Sequence, residues 1–340
     1  IVHDVLGYKG DQINEDALGE MSFMLHSGSD RIGALDFQES SKEYIPRKDD
    51  EASLLDLMEF ADLVAAGKPV PSGLSRTILH GSSIGGARPK ALITDTTQGY
   101  QRKMIAKFSA TDDVFAMVKG EFATMRLASL AGMDVAPVEI TRVIDRNVLL
   151  VERFDRTPTS SGQWTRHPIV SALTWTQVNE LSAMHISYGE LTEIIRKRFR
   201  NPDRDQKEIY ARMVFNILVG NTDDHARNHA AFWDGEYMSL TPAYDIAPQK
   251  RGSREANQAM VIHDHRKTSQ LALALKAAPK FMISPDDARG IIDHQVDTII
   301  QHWRDVCDEA EMTDVERTYF EGRQILNEFS FEGYGPHPKL

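Results

Sequence analysis

The hydrophobic pattern of this chain changes near residue 156 from short strands to helices. Three apolar runs of strand length precede that point, at residues 91–94, 104–108 and 147–151. Between the second and third runs, residues 120–132 have apolar positions at helical spacing. After residue 156 the helical pattern dominates, and Ser284 and Thr313 are each followed three residues later by an acid, as helix N-caps often are. We therefore predict an α+β fold, in which a small mixed or antiparallel β-sheet with one crossing helix precedes a mostly α-helical region.

The chain is long enough for more than one hydrophobic core. Its 340 residues exceed the size at which single cores usually stop growing, about 250–300 residues. We predict three parts, an N-terminal segment over residues 1–75 with a helix near 51–61, a sheet-bearing part over 76–155 and a helical part over 156–340.

Charge and cysteine content argue against several classes of protein. With 39 Lys and Arg against 50 Asp and Glu, the net charge is −11, which disfavours binding to nucleic acid through a basic surface. The single cysteine, Cys307, allows no internal disulfide and fits a reducing compartment. No apolar run approaches the roughly 18–20 residues of a membrane helix. We expect a cytoplasmic protein without a membrane partner.

One polar loop carries oxygen-bearing side chains in an order typical of phosphoryl transfer. Asp223 lies in the segment from Gly220 to Asn228, and a second carboxylate, Asp245, follows two short apolar segments. One acid can orient an attacking hydroxyl, while the amide of Asn228 and a further carboxylate supply the hard oxygen ligands that Mg²⁺ prefers. The alternative is that these side chains only cap turns. That alternative does not explain why an apolar helix end leads into the loop and a second acid follows it.

The same loop admits a metal-hydrolase interpretation. His225 and His229 are four residues apart and would share one face of a helix. No Glu follows His225, and the turn-forming residues from Gly220 onward favour a loop. We therefore prefer a Mg²⁺ site to a zinc site.

A glycine-rich turn over residues 80–90 leads into the first strand. Unhindered backbone N–H groups in such a turn can hold phosphate oxygens. Lys107, on the next strand, can reach the phosphates of a nucleotide, and Glu121 on the following helix can hold that lysine in an ion pair. The strand that ends at residue 151 continues into 152–155, the position at which a kinase hinge binds adenine, largely through backbone groups.

Four motifs together resemble the HipA family of bacterial toxin kinases. They are the glycine turn 81–90 and the segments 151–155, 221–228 and 242–245, in the family's order. The likeness begins near residue 30, where residues 31–35 look like the family's pre-kinase segment, and continues to about residue 330. It implies a protein-kinase-like, HipA-like two-lobed fold, with a small sheet in the N-lobe and a mostly α-helical C-lobe distinct from that of eukaryotic kinases.

The resemblance also implies roles for individual residues. Asp223 matches the catalytic Asp, Lys107 the phosphate-binding Lys, and Asn228 and Asp245 the metal ligands. The other matched positions surround the nucleotide: Gly85, Gly86, Ala87, Arg88, Pro89 and Lys90 in the turn, Glu152, Arg153 and Phe154 in the hinge, and His225, Ala226, Arg227 and Tyr244 near the metal ligands. Ser83, with the adjacent Ser82 as second choice, aligns with a serine that family members autophosphorylate. The added charge there would repel the phosphates of ATP and silence the kinase.

For the activity, the resemblance implies an ATP- and Mg²⁺-dependent Ser/Thr kinase that is the toxin of a type II toxin–antitoxin pair. The family arrests growth, typically by phosphorylating an aminoacyl-tRNA synthetase, and its partner is a HipB-like helix-turn-helix antitoxin that binds operator DNA. The chain begins at Ile1, and we expect the family's N-terminal subdomain to be shortened, with residues 1–75 as its remnant. Two alternatives stay open, a small-molecule phosphotransferase and a catalytically weak kinase-like co-repressor or binding module.

Overall fold

Two compact units make up the chain. The computed structural model describes residues 19–26, 28–47, 53–65, 90–97, 99–109 and 115–340. The sheet unit comprises Ile1–Asp112 and Thr141–Pro168, and the helical unit comprises Asp113–Ile140 and Ile169–Leu340. Residues 113–140, which the sequence pattern groups with the strands, therefore make most of their contacts with the helical unit.

A four-stranded sheet forms the centre of the described part of the sheet unit. Its strands are β1 (Lys90–Asp95), β2 (Arg102–Phe108), β3 (Val138–Val143) and β4 (Arg146–Glu152), in the order β1-β2-β4-β3. Strand β2 pairs antiparallel with β1 and β4. The three predicted strands are confirmed as β1, β2 and β4, and β3 is an addition that no apolar run had indicated.

One face of this sheet is covered by a helix. The unit contains helices α1 (Glu20–His26) and α2 (Leu54–Ala65), and α2 confirms the helix predicted near 51–61. Met104, Ala106 and Phe108 point to the same face of β2, because side chains two residues apart share a face. They pack with Leu57 and Met58 of α2 in a buried apolar cluster. Each large side chain buried there stabilises the unit by about 1.5–3 kcal/mol.

A buried ionic network joins the segment near residue 30 to the end of β4. Asp155 is 2% exposed and accepts hydrogen bonds from Arg153 Nε at 2.9 Å, Arg156 Nη1 at 2.7 Å and the Gly33 N–H at 2.8 Å. Both guanidinium groups also lie 3.1 Å from Asp30 Oδ1. Burial of these charges is tolerated because each has an opposite charge and hydrogen bonds. Strands β5 (Arg156–Pro158) and β6 (Trp164–Arg166) follow as an antiparallel pair.

The helical unit is built around buried helices. In chain order they are α3 (Met117–Leu130), α4 (Ala172–Thr176), α5 (Tyr188–Arg198), α6 (Pro202–Leu218), α7 (Leu271–Ala277), α8 (Pro285–Glu309), α9 (Asp314–Phe320) and α10 (Glu328–Phe331). Helix α6 packs against α5 and α8 and buries Met213, Phe215 and Leu218 completely. A second sheet, of β7 (Ile169–Ser171), β8 (Ala230–Trp233) and β9 (Met238–Leu240), is antiparallel.

The ends of the helices follow the predicted signals. Ser284 accepts a hydrogen bond from the Asp287 N–H at the start of α8, and Thr313 forms a reciprocal capping box with Glu316 at the start of α9. Helix α3 confirms the predicted crossing helix and stops before Gly132, which has a φ of 79°. The α+β class is confirmed. Within the described ranges, no helix combines the length and apolar character needed to cross a membrane.

Candidate functional site

The end of helix α6 fixes where the polar loop begins. Gly220 has a φ of 67°, and the N–H groups of Gly220 and Asn221 donate to the carbonyls of Ile217 and Asn216 at 3.3 and 2.9 Å, which is a Schellman ending. A Cβ atom at position 220 would lie 2.8 Å from the carbonyl oxygen of Gln324. Glycine is therefore required both by the backbone angle and by the close approach. The apolar helix end predicted to lead into the loop is confirmed.

Asp223 is the exposed acid of this loop. Its backbone carbonyl accepts hydrogen bonds from the His225 N–H at 2.8 Å and from Asn228 Nδ2 at 3.2 Å, so the loop closes on itself around this residue. Its carboxylate makes no hydrogen bond or ion pair with any residue that the structure describes. An accessible carboxylate on a braced loop has the geometry that a general base needs to reach an incoming hydroxyl.

The neighbouring Asp224 is buried, with an exposure of 2%. It accepts a hydrogen bond from the Tyr188 hydroxyl, and its Oδ1 lies 3.0 Å from His229 Nε2. Complete burial, together with the charge of Asp224, raises the pKa of Tyr188 well above its ordinary value, so its hydroxyl remains a donor. Since Tyr188 begins helix α5, these contacts attach the loop to a second helix. Sequence reasoning missed Tyr188, because no local pattern relates residues 36 positions apart.

The structure does not have the helix on which the zinc interpretation depends. Residues Ala226–Asn228 form a single 3₁₀ turn and strand β8 begins at Ala230, so His225 and His229 do not share a helical face. The ring of His229 is engaged by Asp224. No group of three or more His, Cys, Asp or Glu side chains that could hold a metal occurs within the described ranges.

The second acid, Asp245, lies beside the loop. The Tyr244 hydroxyl donates to the Arg227 carbonyl at 2.7 Å, and Asn221 Nδ2 lies 3.4 Å from the Asp245 carbonyl oxygen. Burial raises the pKa of Tyr244, which keeps this hydroxyl a donor. Asp245 has a φ of 59°, a left-handed conformation that costs a non-glycine residue about 1–3 kcal/mol and is often found at ligand sites. The fold thus brings Asp245 to the two ends of the loop.

The oxygen atoms near the loop suit a magnesium ion. Because Asn228 Nδ2 donates to the Asp223 carbonyl, the amide oxygen of Asn228 is the atom left to meet a cation. The Asp245 residue is half-buried and adds a carboxylate. Mg²⁺ is usually bound by one or two protein oxygens and completes its shell with water and substrate phosphates. The two donors are of the chemical kind that Mg²⁺ uses, and their role as its ligands stays a prediction.

The second face of the four-stranded sheet, in the sheet unit, carries two lysines. Lys107 of β2 is the register partner of Lys90 of β1, and Leu149 of β4 flanks Lys107 on the other side. Directly opposed residues have Cβ atoms roughly 4.5–5.5 Å apart, so the two lysine side chains leave the sheet side by side. Lys107 is 8% exposed.

The predicted hinge residues differ in what their side chains do. The side chain of Arg153 is 1% exposed and is engaged by Asp155 and Asp30. Glu152 and Phe154 are half-buried. A nucleotide contact made by Arg153 is therefore expected from its backbone rather than from its guanidinium group.

Several predicted residues lie outside this geometry. The turn residues Gly85 to Pro89, together with Ser82 and Ser83, fall outside the described residues. Glu121 is buried on α3 in the helical unit, whereas Lys107 belongs to the sheet unit, and their ion pair stays a prediction.

The remaining loop positions have separate roles. Ala226 is buried, and Arg227 pairs with Glu180 of the 3₁₀ turn Glu180–His185. His225 Nδ1 is buried and meets no partner in the described ranges, which leaves a polar atom for a ligand.

Residues 82–303 match the family model described as the HipA-like C-terminal domain. That match spans well over half of the chain. The chain belongs to the HipA-like C-terminal domain family. The suspected relationship to HipA is thereby confirmed, and the matched range contains Lys107, Asp223, Asn228 and Asp245.

Two curated relatives show how far the similarity extends. The serine/threonine-protein kinase toxin HipA of Shewanella oneidensis is 32% identical over 147 residues, which are 38% of this chain and 34% of that protein. The protein Y4mE of Sinorhizobium fredii is 31% identical over 146 residues, 42% of this chain and 33% of that protein. The match covers about a third of the length of these relatives.

A solved structure supports the fold. A chain in the complex of the Shewanella oneidensis toxin–antitoxin proteins HipA and HipB with their operator DNA aligns with a TM-score of 0.70 and 21% identity. The alignment covers 94% of this chain and 78% of that one. The predicted HipA-like fold is confirmed.

Proposed function

We propose that this HipA-like protein is an ATP- and Mg²⁺-dependent serine/threonine protein kinase. One observation carries the proposal. The Asp223 carboxylate is exposed and unengaged within the described residues, on a loop that the buried Asp224 attaches to Tyr188 and His229. This combination places an accessible base on a fixed support, as positioning-based catalysis requires.

In the proposed reaction, Asp223 orients the hydroxyl of a serine or threonine. As the hydroxyl oxygen bonds to the γ-phosphorus of ATP, the bond to the β–γ bridging oxygen breaks and ADP leaves. A carboxylate oxygen of Asp223 takes the proton of the hydroxyl. The Asn228 amide oxygen and the Asp245 carboxylate would hold a Mg²⁺ ion, which would supply positive charge to the phosphates.

The other predicted residues complete the proposed nucleotide site. Lys107 and Lys90 approach the phosphates together with the turn from Gly85 to Pro89. Hinge residues 152–154 contact adenine. His225, Ala226, Arg227 and Tyr244 line the loop side. The register that pairs Lys90 with Lys107 supports this assignment, because it places both side chains on the same face of the sheet.

We further propose that the kinase is the toxin of a toxin–antitoxin pair in the cytoplasm. One relative is named a serine/threonine-protein kinase toxin, and the similar solved structure contains HipB and operator DNA. A HipB-like helix-turn-helix antitoxin is the proposed partner, and the net charge of −11 fits contact with operator DNA through that partner. The proposed substrate is an aminoacyl-tRNA synthetase, and autophosphorylation at Ser83 would silence the kinase.

Replacement of one acid tests the activity. Asp223→Asn should lower phosphate transfer from γ-labelled ATP into protein by at least about a hundredfold, because it removes the base, and leave ATP affinity within about threefold. Asp305→Asn is the matched control, since Asp305 is exposed on α8 and far along the chain from the loop.

Three results would contradict the proposal. Near wild-type transfer by Asp223→Asn would remove Asp223 from catalysis. ATP consumption without any labelled protein would indicate a small-molecule phosphotransferase. Absence of ATP turnover in the wild type, with Mg²⁺ present, would indicate a binding or co-repressor module.

A further inference from the structure

The helical unit contains a cavity that the proposed kinase site does not use. Its volume is about 550 Å³. One wall is formed by Arg251, Gly252 and Arg254, a few residues after Asp245, and the other by residues 321–323 and Asn327, just after helix α9. All of these lining residues belong to the helical unit.

Arg251 is the unusual group in this cavity. It is 8% exposed, and its Nη2 donates to the Arg254 carbonyl at 2.8 Å. Its Nε and Nη1 atoms are buried and find no hydrogen-bond partner in the part of the chain that the structure describes. Burial lowers the pKa of the guanidinium group, yet an arginine remains charged in proteins. A buried charge without a counter-charge is strongly unfavourable, and no described residue supplies one to Arg251, so a bound anion would stabilise this position.

The rest of the lining has an excess of positive charge. Arg254 and Arg323 are exposed, and Arg323 stacks on the Tyr319 ring at 5.1 Å. The carboxylate of Glu321 is the negative group of the lining, and it accepts a hydrogen bond from Trp303 Nε1 at 3.0 Å. Arg254 also pairs with Glu332 at 2.6 Å. Three guanidinium groups against the carboxylates of Glu321 and Glu332 leave a net charge of +1.

We propose that this cavity binds a phosphate monoester dianion, with Arg251 as its buried anchor. A phosphate offsets the net positive charge of the lining, and guanidinium groups present paired N–H donors in the fork that suits phosphate oxygens. A phosphorylated side chain and a small phosphorylated metabolite share this chemistry. The proposal is independent of phosphate transfer by Asp223.

Both walls of the cavity are attached to the start of the 220–228 loop. The Gln249 N–H donates to the Gly220 carbonyl at 3.0 Å, and the Leu326 N–H donates to the Leu218 carbonyl at 2.7 Å. A phosphate that bridges the two walls therefore lies next to the point at which the loop leaves helix α6. Its binding would hold the two walls, and so the two segments that are hydrogen-bonded to the end of helix α6, in fixed positions.

Thermal unfolding of the full chain tests the site. Inorganic phosphate, O-phosphoserine and acetate are titrated at constant ionic strength into the wild type, Arg251→Gln and the exposed-surface control Arg304→Gln. The wild type and the control should gain thermal stability with the two phosphates and not with acetate, since a ligand that binds the folded state raises the midpoint. Arg251→Gln should weaken phosphate binding by about tenfold or more and should be at least as stable as wild type without phosphate.

Two further variants distinguish this cavity from the proposed nucleotide site and test a second arginine of its lining. Lys107→Gln should retain the phosphate effect, which separates this cavity from the proposed nucleotide site. Arg323→Gln, at an exposed position, should reduce phosphate affinity several-fold without changing stability. Tighter binding of O-phosphoserine than of inorganic phosphate supports a phosphorylated side chain as the source, and equal binding supports recognition of the dianion alone. An equal phosphate effect in Arg251→Gln, no effect in the wild type, or an equal effect of acetate would overturn the proposal.

Discussion

Two adjacent aspartates have opposite environments. Asp223 is exposed and meets solvent, whereas Asp224 is buried against Tyr188 and His229. The hydrogen bond that closes the loop uses the backbone carbonyl of Asp223, so the Asp223 carboxylate stays accessible to a substrate. The Asp224 carboxylate instead holds the loop to Tyr188 and His229. The buried contacts of Asp224 thus attach the loop that carries the proposed base.

The Tyr188–Asp224 hydrogen bond can be tested against a matched tyrosine. Tyr188→Phe should lower the free energy of unfolding by about 1.5–3 kcal/mol, because a charged buried acceptor loses its donor. Tyr210→Phe is the control, since the Tyr210 hydroxyl is buried and has no partner within the described ranges. Its removal should be neutral or stabilising. Urea unfolding of both variants checks the pair, and equal losses would contradict the assigned role of Asp224.

At the scale of elements, helix α3 is packed closely against two other segments. A Cβ atom at Gly120 would lie 2.7 Å from Phe320 Cζ and 3.1 Å from Pro248 Cγ. Phe320 is buried among aromatic rings, with Phe115 and Trp303 edge-to-face at 5.7 and 6.5 Å, so its ring has little room to move. Thr124 of the same helix also donates to the Ile246 carbonyl, next to Asp245. Helix α3 thus supports the segment that carries the second acid.

Two glycine-to-alanine changes separate packing from helix propensity. Gly120→Ala should cost about 1–3 kcal/mol from overpacking, which exceeds the gain of about 0.5–1 kcal/mol expected for alanine in a helix. Gly290→Ala, at an exposed position in the second turn of α8 with no atom within 4 Å of a new Cβ, should show only the gain in helix propensity. The midpoint of thermal denaturation should therefore fall in Gly120→Ala and rise in Gly290→Ala. A stabilising Gly120→Ala would show that α3 is less tightly held.

The elements were more predictable than their contacts. Strand β2 and helices α2, α3 and α8 follow from local periodicity and capping residues, which one stretch of sequence contains. The spacing of Asp223, Asn228 and Asp245 likewise indicated a metal and a base. Nothing local distinguishes Asp223 from Asp224, because their burial depends on Tyr188, on another helix. The pairing of Lys90 with Lys107 also depends on register, which chain order does not fix.

At the scale of the whole molecule, each unit has its own core and its own share of the candidate residues. The sheet unit holds Lys107 and the hinge, and the helical unit holds the loop and Asp245. The buried network of Asp30, Arg153 and Asp155 joins the two sequence segments of the sheet unit.

Acid should weaken that network in a predictable direction. Burial alone would raise the pKa of Asp30, but the charges of Arg153 and Lys103 lower it overall. A carboxyl group whose pKa is lower in the folded than in the unfolded protein stabilises the folded state. This contribution is complete above the unfolded pKa, about 3.9, and is lost as the pH falls through the folded pKa. Asp30→Asn should therefore lower the free energy of unfolding at pH 7. The difference in this free energy between variant and wild type should shrink below about pH 4.

Urea unfolding at a series of pH values measures this effect. Asp305→Asn, an exposed aspartate on α8, is the control and should match the wild type at pH 7. A stability loss in Asp30→Asn that does not change with pH would contradict the ionic role of Asp30.

The most direct test of the kinase proposal is a quantitative phosphoproteome of cells that express either the wild type or Asp223→Asn. The account predicts that phosphorylated serine or threonine sites on protein substrates appear with the wild type and are absent with the variant. Phosphorylation of an aminoacyl-tRNA synthetase and of Ser83 would be among them. Identical phosphoproteomes for the two proteins, when both are folded and equally abundant, would contradict the account.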